Sequence, residues 1–294
     1  MRRLSRTALV VLLALAATGG CVLDRVSRRE AVWLAADRIF FLRTVDSAPS
    51  ELWERSPGGR ERRVATWSDL PSACGAFDFL FRMPDARLGV VLECDDETSQ
   101  LFAYLPAESS FELIGDLPYV ADIAFRSDIS GGFVGTGNNR CWAISPFELP
   151  ARAESVAVFP ELTCAAGASA KSPMLTRAGR LVFLATHDPL SDANDDTRRW
   201  SLYTTETGGR GYRATGPTVR GFPVADISVD GTAVAIAVNR GDETRLLMVN
   251  LRTGESENIR ESEYIGRPTF SPDGTRLAFV EDFDDIRILD LSVP

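Results

Sequence analysis

The chain has 294 residues, 45% apolar and 25% charged, which excludes wholesale disorder, collagen-like repetition and a polytopic membrane protein. Acidic residues outnumber basic ones 41 to 32, and the net charge of −9 argues against a general nucleic-acid binder. One His (His187) and one Lys (Lys171) thin out the common catalytic and metal chemistries. By length alone the chain is one large domain or two of ordinary size.

Residues 1–20 read as an export signal. Arg2, Arg3 and Arg6 make a positive start, and the apolar run from Ala8 to Ala17 falls well short of the ~20 residues a spanning helix needs. Thr18-Gly19-Gly20 then leads into Cys21. This arrangement resembles the lipobox of bacterial lipoproteins, with Thr18 standing where Leu, Val or Ile is usual. The resemblance implies cleavage before Cys21 and lipidation of Cys21 on its sulfur and its new amino group. Acyl chains then anchor the protein to a bilayer with no spanning segment. Val22 stands where an Asp would mark inner-membrane retention, so we expect an outer-membrane lipoprotein facing the periplasm or the cell surface. Removing residues 1–20 takes away three Arg and no acid, leaving 29 basic against 41 acidic residues and a net charge of −12. Residues 21–31, with Asp24, Arg25, Arg28, Arg29 and Glu30, read as the lipidated Cys and a short polar tether.

The remainder, residues 32–294, is repetitive. Near its end, Arg267-Pro-Thr-Phe-Ser-Pro-Asp-Gly-Thr-Arg-Leu-Ala-Phe-Val280 followed by Asp285–Leu291 reads as strand, tight turn, strand, acidic loop, strand. Val224–Ala237 with Arg245–Leu251 repeats this pattern, and so does Pro173–Leu184 with Trp200–Tyr203. Weaker copies are Val120–Phe125 with Cys141–Ile144, Phe77–Arg87 with Leu101–Tyr104, and Arg38–Leu42 with Glu51–Glu54. Turn positions near Ala36, Asp85, Asp128, Gly179, Gly231 and Gly274 give six units of about 44 residues. A period of this size with short strands predicts an all-β, six-bladed β-propeller, one domain rather than two. The sixth unit shows three strands before Pro294, so either Val22 to Glu30 supplies its outer strand or, the reading favoured by the polar character of that segment, the last blade stays three-stranded.

The string P-x-F-S-P-D-G-x-x-L-A-F of the last unit resembles the repeat of TolB-like propellers, also called WD40-like or PD40 repeats. Unit five agrees through Ser228-Val-Asp-Gly231, as do the turns Thr207-Gly208-Gly209 and Thr253-Gly254. The resemblance implies protein partners in the cell envelope. About ten residues separate Cys21 from the first expected strand, which leaves no room for the N-terminal domain of TolB, so only the propeller is carried over.

Four cysteines follow Cys21: Cys74, Cys94, Cys141 and Cys164. An even number in an exported chain implies two disulfides, and no C-x-x-C spacing suggests a metal or redox site. Along each unit we name the strands A to D from the channel outward, so that A–B hairpins and B–C loops fall on opposite faces. All four cysteines then map to the B–C face, and we expect Cys74–Cys94 and Cys141–Cys164.

The same face is acidic, with Asp95, Asp96 and Glu97, then Asp188, Asp192, Asp195 and Asp196, then Asp242 and Glu243, and Glu281, Asp282, Asp284 and Asp285. Clustered carboxylates suit calcium or a basic partner, although Asp is also an ordinary turn residue. Val-Ala-Asp-Ile occurs twice and places Asp122 and Asp226 on innermost strands, with Asp78 a third candidate for a channel ligand or metal site. His187 has no nucleophile elbow to serve, since G-x-S-x-G is absent. The expected function is a non-catalytic, lipid-anchored, monomeric protein-binding module without a cofactor. The rival is a metal-dependent hydrolase or lactonase using the channel carboxylates.

Overall fold

The computed structural model describes residues 26–291 apart from 36, 47, 71, 73, 95–97, 139–140, 151, 154–156, 189–196, 206–210 and 242. Six antiparallel sheets follow one another along the chain, each built as a meander. Blade 1 holds β1 (Val26–Ala35), β2 (Arg38–Val45), β3 (Glu51–Arg55) and β4 (Glu61–Thr66). Blade 2 holds β5 (Ala76–Arg82), β6 (Leu88–Glu93), β7 (Thr98–Leu105) and β8 (Ser110–Pro118). Blade 3 holds β9 (Val120–Phe125), β10 (Gly131–Asn138), β11 (Cys141–Glu148) and the short β12 (Arg152–Ala153). Blade 4 holds β13 (Ser169–Leu175), β14 (Leu181–Thr186), β15 (Arg199–Thr205) and β16 (Tyr212–Arg220). Blade 5 holds β17 (Phe222–Ile227), β18 (Ala233–Arg240), β19 (Glu243–Asn250) and β20 (Ser256–Ser262). Blade 6 has three strands, as its sequence implies: β21 (Thr269–Phe270), β22 (Arg276–Glu281) and β23 (Asp285–Asp290). Among the described residues no helix is long and apolar enough to cross a membrane.

The strand period of two explains how such sheets make a ring. On β2, Phe40 and Leu42 pack with Phe77, Leu88 and Phe102 of blade 2. Their neighbours Ile39 and Phe41 face the other way and pack with Ala278, Val280 and Ile286 of blade 6. On β22, Leu277 and Phe279 join Ala235, Ala237 and Leu246 of blade 5. Each apolar cluster therefore spans a junction between blades, and no blade has a core of its own.

The S-x-D-G-T signature folds the A–B hairpins of blades 5 and 6 by one mechanism. Asp230 accepts from the Thr232 N–H at 3.0 Å and from the Ser228 hydroxyl at 2.6 Å. Asp273 repeats this with Thr275 N at 3.0 Å and the Ser271 hydroxyl. The following Gly231 and Gly274 sit at φ +72° and +73°, where a Cβ is disfavoured.

One expectation is corrected. The chain does not remain a tether through residue 31, because β1 begins at Val26. Arg28, Arg29 and Glu30 belong to the innermost strand of blade 1, with Arg28 paired to Arg43 and Arg29 to Leu42. The polar character that suggested a tether arises because this stretch meets polar groups rather than a core: Arg28 meets Glu61 at 3.1 Å, and Arg29 donates to Phe77 O at 2.9 Å. The signal segment, Cys21 and the residues through Arg25 lie outside the described residues.

Candidate functional site

The inner strands deliver their polar residues to a central channel. Asp78 lies on β5, Asp122 on β9 and Asp226 on β17, the innermost strands of blades 2, 3 and 5. Two further charges meet them there, Glu30 on β1 and Arg267 from the segment leading into β21.

Arg267 decides what the carboxylates can do. Its guanidinium pairs with Asp122, lies 3.5 Å from Glu30 and 3.5 Å from the Ala121 carbonyl, and its Cζ sits 5.6 Å from the Phe79 ring centroid. Blades 1, 2 and 3 are thereby tied to the start of blade 6. Asp122 also accepts from the backbone N–H and hydroxyl of Ser172 in blade 4, both at 3.1 Å. Asp226 accepts from Phe270 N at 2.9 Å, a bond from blade 5 to blade 6. Among the described residues no three His, Cys, Asp or Glu side chains come together to hold a metal ion. Asp122, Glu30 and Asp226 act as cross-braces between blades.

Electrostatics follow from this crowding. Burial pushes the Asp78 carboxyl up to about 6, helped by Glu93 and Glu30 and opposed by Arg29. Burial also raises Glu30 and Asp226, against the pull of Arg267 on the first and of the Phe270 N–H and Arg82 on the second. Burial works against the charge on Arg267, but Asp122 and Glu30 outweigh it and hold the guanidinium firmly protonated. The Tyr264 phenol is pushed up to about 12 by burial and by Glu30.

The B–C face carries the rest of the predicted residues. Cys74–Cys94 and Cys141–Cys164 are both bonded, with Cα atoms 4.3 and 5.8 Å apart. The first staples the entry and exit of the β5–β6 pair. The second ties β11 to the 3₁₀ turn Cys164–Ala166 ahead of blade 4.

Most of the described acids of this face are matched internally. Glu281 accepts from Arg260 and Arg287, at 2.7 and 2.8 Å. Asp282 accepts from Ser262 Oγ at 2.8 Å and Tyr264 N at 3.0 Å, and Asp285 pairs with Arg55 at 3.1 Å. Asp284 contributes its backbone carbonyl to Arg28. Asp188, beside His187, is held by Arg199 at 3.0 Å. Asp192, Asp195 and Asp196 lie outside the described residues, as do Asp95, Asp96, Glu97 and Asp242.

Two features escaped the sequence reading. Arg267 stands before a proline with nothing to mark it among many arginines. Lys171 has Nζ 3.3 Å from the Phe222 ring centroid, 4.5 Å from that of Trp200 and 5.0 Å from that of Trp142, so the lone lysine is enclosed by aromatic rings of blades 3, 4 and 5. An isolated Lys between Ala170 and Ser172 on an inner strand was the available signal.

No family model matches the sequence, and no curated protein matches it. Solved structures do. TolB from Acinetobacter baumannii aligns over 95% of this chain with a TM-score of 0.59 and 14% identity, the chain spanning 64% of that protein's length. A putative TolB from Agrobacterium tumefaciens aligns over 91% of both chains, with a TM-score of 0.58 and 11% identity. The fold is the TolB-type β-propeller. An oligogalacturonate lyase in complex with manganese also aligns, over 90% of this chain and 75% of its own, with a TM-score of 0.50 and 13% identity. The same architecture is thus found in an enzyme, and function has to be argued from this chain's own residues.

Proposed function

We propose that this protein is a lipid-anchored component of the bacterial cell envelope whose propeller serves as a non-catalytic protein-binding module. The observation that carries this reading is the internal pairing of the channel. Arg267 and Ser172 occupy the oxygens of Asp122, and Phe270 N occupies Asp226, so the residues best placed for chemistry are engaged in joining blades. The faces of the ring are left to make contacts. Likeness to the TolB propellers supports an envelope setting, and the lipobox-like Thr18-Gly19-Gly20-Cys21 supports an anchor in the outer membrane.

Crosslinking in intact envelopes, followed by purification of the detergent-solubilised protein, tests the module. One stoichiometric protein partner is expected, and a Cys21→Ala variant should leave the membrane fraction. The opposite result is a calcium-dependent rise in melting temperature that disappears in Asp122→Ala and Asp226→Ala. That outcome replaces this reading with the metal-dependent hydrolase.

A further inference from the structure

The ring closes where blade 6 meets blade 1, and at the B–C end of that seam lies a cleft of about 390 Å³. Its walls include Arg28, Arg29, Thr44, Pro49, Ser50 and Phe283. Among the described residues no carboxylate lines it, although the chain as a whole has a net charge of −9.

Arg29 is one of two arginines lining this cleft. Its Nη2 donates to the Ser50 hydroxyl at 3.0 Å and to the Phe77 carbonyl at 2.9 Å, both neutral acceptors. Among the described residues no carboxylate lies within ion-pair distance of it, and its Nε is buried without a hydrogen-bond partner. Ser50 is itself fixed by Thr44, hydroxyl to hydroxyl at 2.9 Å. A half-buried guanidinium oriented by neutral groups at the wall of a cleft can receive an anion. Arg28 differs, since Glu61 already compensates it at 3.1 Å.

The rim supplies a second, independent observation. Phe283 is 43% exposed, one of few large apolar side chains so placed. Its backbone lies at φ +59°, directly after Asp282 at +51°, a region that bulky residues normally avoid. A glycine or asparagine there would fold this three-residue loop with less strain. The ring is nonetheless held rigidly, stacked on Tyr264 with centroids 3.7 Å apart, and its carbonyl accepts from Arg28 N at 2.7 Å. Strained, displayed and immobilised side chains gather at ligand clamps.

We propose that this seam cleft binds a small monocarboxylate with an aromatic or apolar body. The carboxylate pairs with Arg29, and the body lies against Phe283 and Pro49. A monoanion suits the charge balance, because no described carboxylate pairs directly with Arg29, while Glu30 and Asp78 act on it from farther behind and oppose a dianion.

Purified full-length protein titrated with benzoate, acetate and inorganic phosphate, by calorimetry and saturation-transfer NMR, tests this. Benzoate should bind saturably, acetate on the order of tenfold more weakly for want of the ring, and phosphate should not displace benzoate. Arg29→Gln should weaken benzoate on the order of tenfold. Phe283→Ala should reduce benzoate to the level of acetate while leaving acetate unchanged. Because Phe283 is an exposed loop residue, that variant decides the matter even if Arg29→Gln fails to fold. The proposal is overturned by an absence of saturable benzoate binding, by displacement of benzoate by phosphate, or by unchanged benzoate affinity in Phe283→Ala.

Discussion

Two junctions of the ring are built from different materials. Between blades 4 and 5 the chain crosses through a single residue, Gly221, and the contact is apolar and aromatic. Trp200, Leu202, Val234 and Ile236 pack there with Trp142 of blade 3, around the ammonium of Lys171. Between blades 6 and 1 the ends of the propeller meet, and the apolar contribution is smaller, with Ala31 and Ala278 among its members. That seam is drawn together by long-range polar contacts instead. Arg55 donates to Ile286 O at 3.0 Å and pairs with Asp285, Arg28 bonds the loop holding Phe283, and Trp33 N reaches Thr269 Oγ1 at 3.4 Å. Where a short linker already holds two blades in register, undirected burial is enough to join them. Where no linker exists, directional hydrogen bonds supply the registration that the covalent chain supplies elsewhere.

This contrast can be broken by substitution. Trp200→Ala should be the most damaging single change, costing about 4 kcal/mol because a fully buried ring leaves a cavity and uncovers the Lys171 ammonium. Urea denaturation measures it, and the loss should be nearly independent of salt. Arg267→Gln should cost about 3 kcal/mol, since Asp122 and Glu30 are left without their buried counter-charge. An Arg267→Gln protein as stable as wild type would show that the channel braces are not structural.

Acidity sharpens the comparison from the polar side. The Asp78 carboxyl holds its proton more tightly in the folded ring, at about 6, than in the unfolded chain, where 3.8 is usual. Between those values the folded state binds more protons, so stability falls as pH rises from about 4 to about 6, by about 2 kcal/mol in all. Asp78→Asn should flatten that slope in denaturation curves taken across the window. The aromatic junction contributes no such dependence. Arg55→Ala is expected to have the smallest effect, about 1 kcal/mol, because its partners Glu61 and Asp285 remain partly solvated. Unlike the loss in Trp200→Ala, this one should shrink at high salt, and melting curves at two ionic strengths distinguish the two.

Much of the architecture was legible in the residues. Ser228-Val-Asp-Gly-Thr232 and Ser271-Pro-Asp-Gly-Thr275 encode their hairpins locally, because hydroxyl, carboxylate and glycine all lie within one turn. Alternation on either side of those turns predicted the strands, and their spacing predicted the number of blades. The cysteine pairing followed once all four were placed on one face, three at strand ends and Cys164 between blades 3 and 4. The start of β1 was not legible, because Arg28, Arg29 and Glu30 break the apolar alternation that marks the other inner strands. Asp122 and Asp226 were found by repetition, but the residues that complete their environment were not. Ser172 and Arg267 carry no pattern of their own.

The division has a physical basis. Turn chemistry and strand period are properties of neighbouring residues, so the sequence alone determined a six-bladed ring with a three-stranded last blade. Charge pairing joins residues from opposite ends of the chain, Glu30 with Arg267 among the inner strands and Arg55 with Asp285 at the seam between blades 6 and 1. Only closure of the ring brings those groups within reach. The tertiary structure therefore decided that Asp122 and Asp226 brace the blades, and that among the described residues no carboxylate lies within ion-pair distance of Arg29.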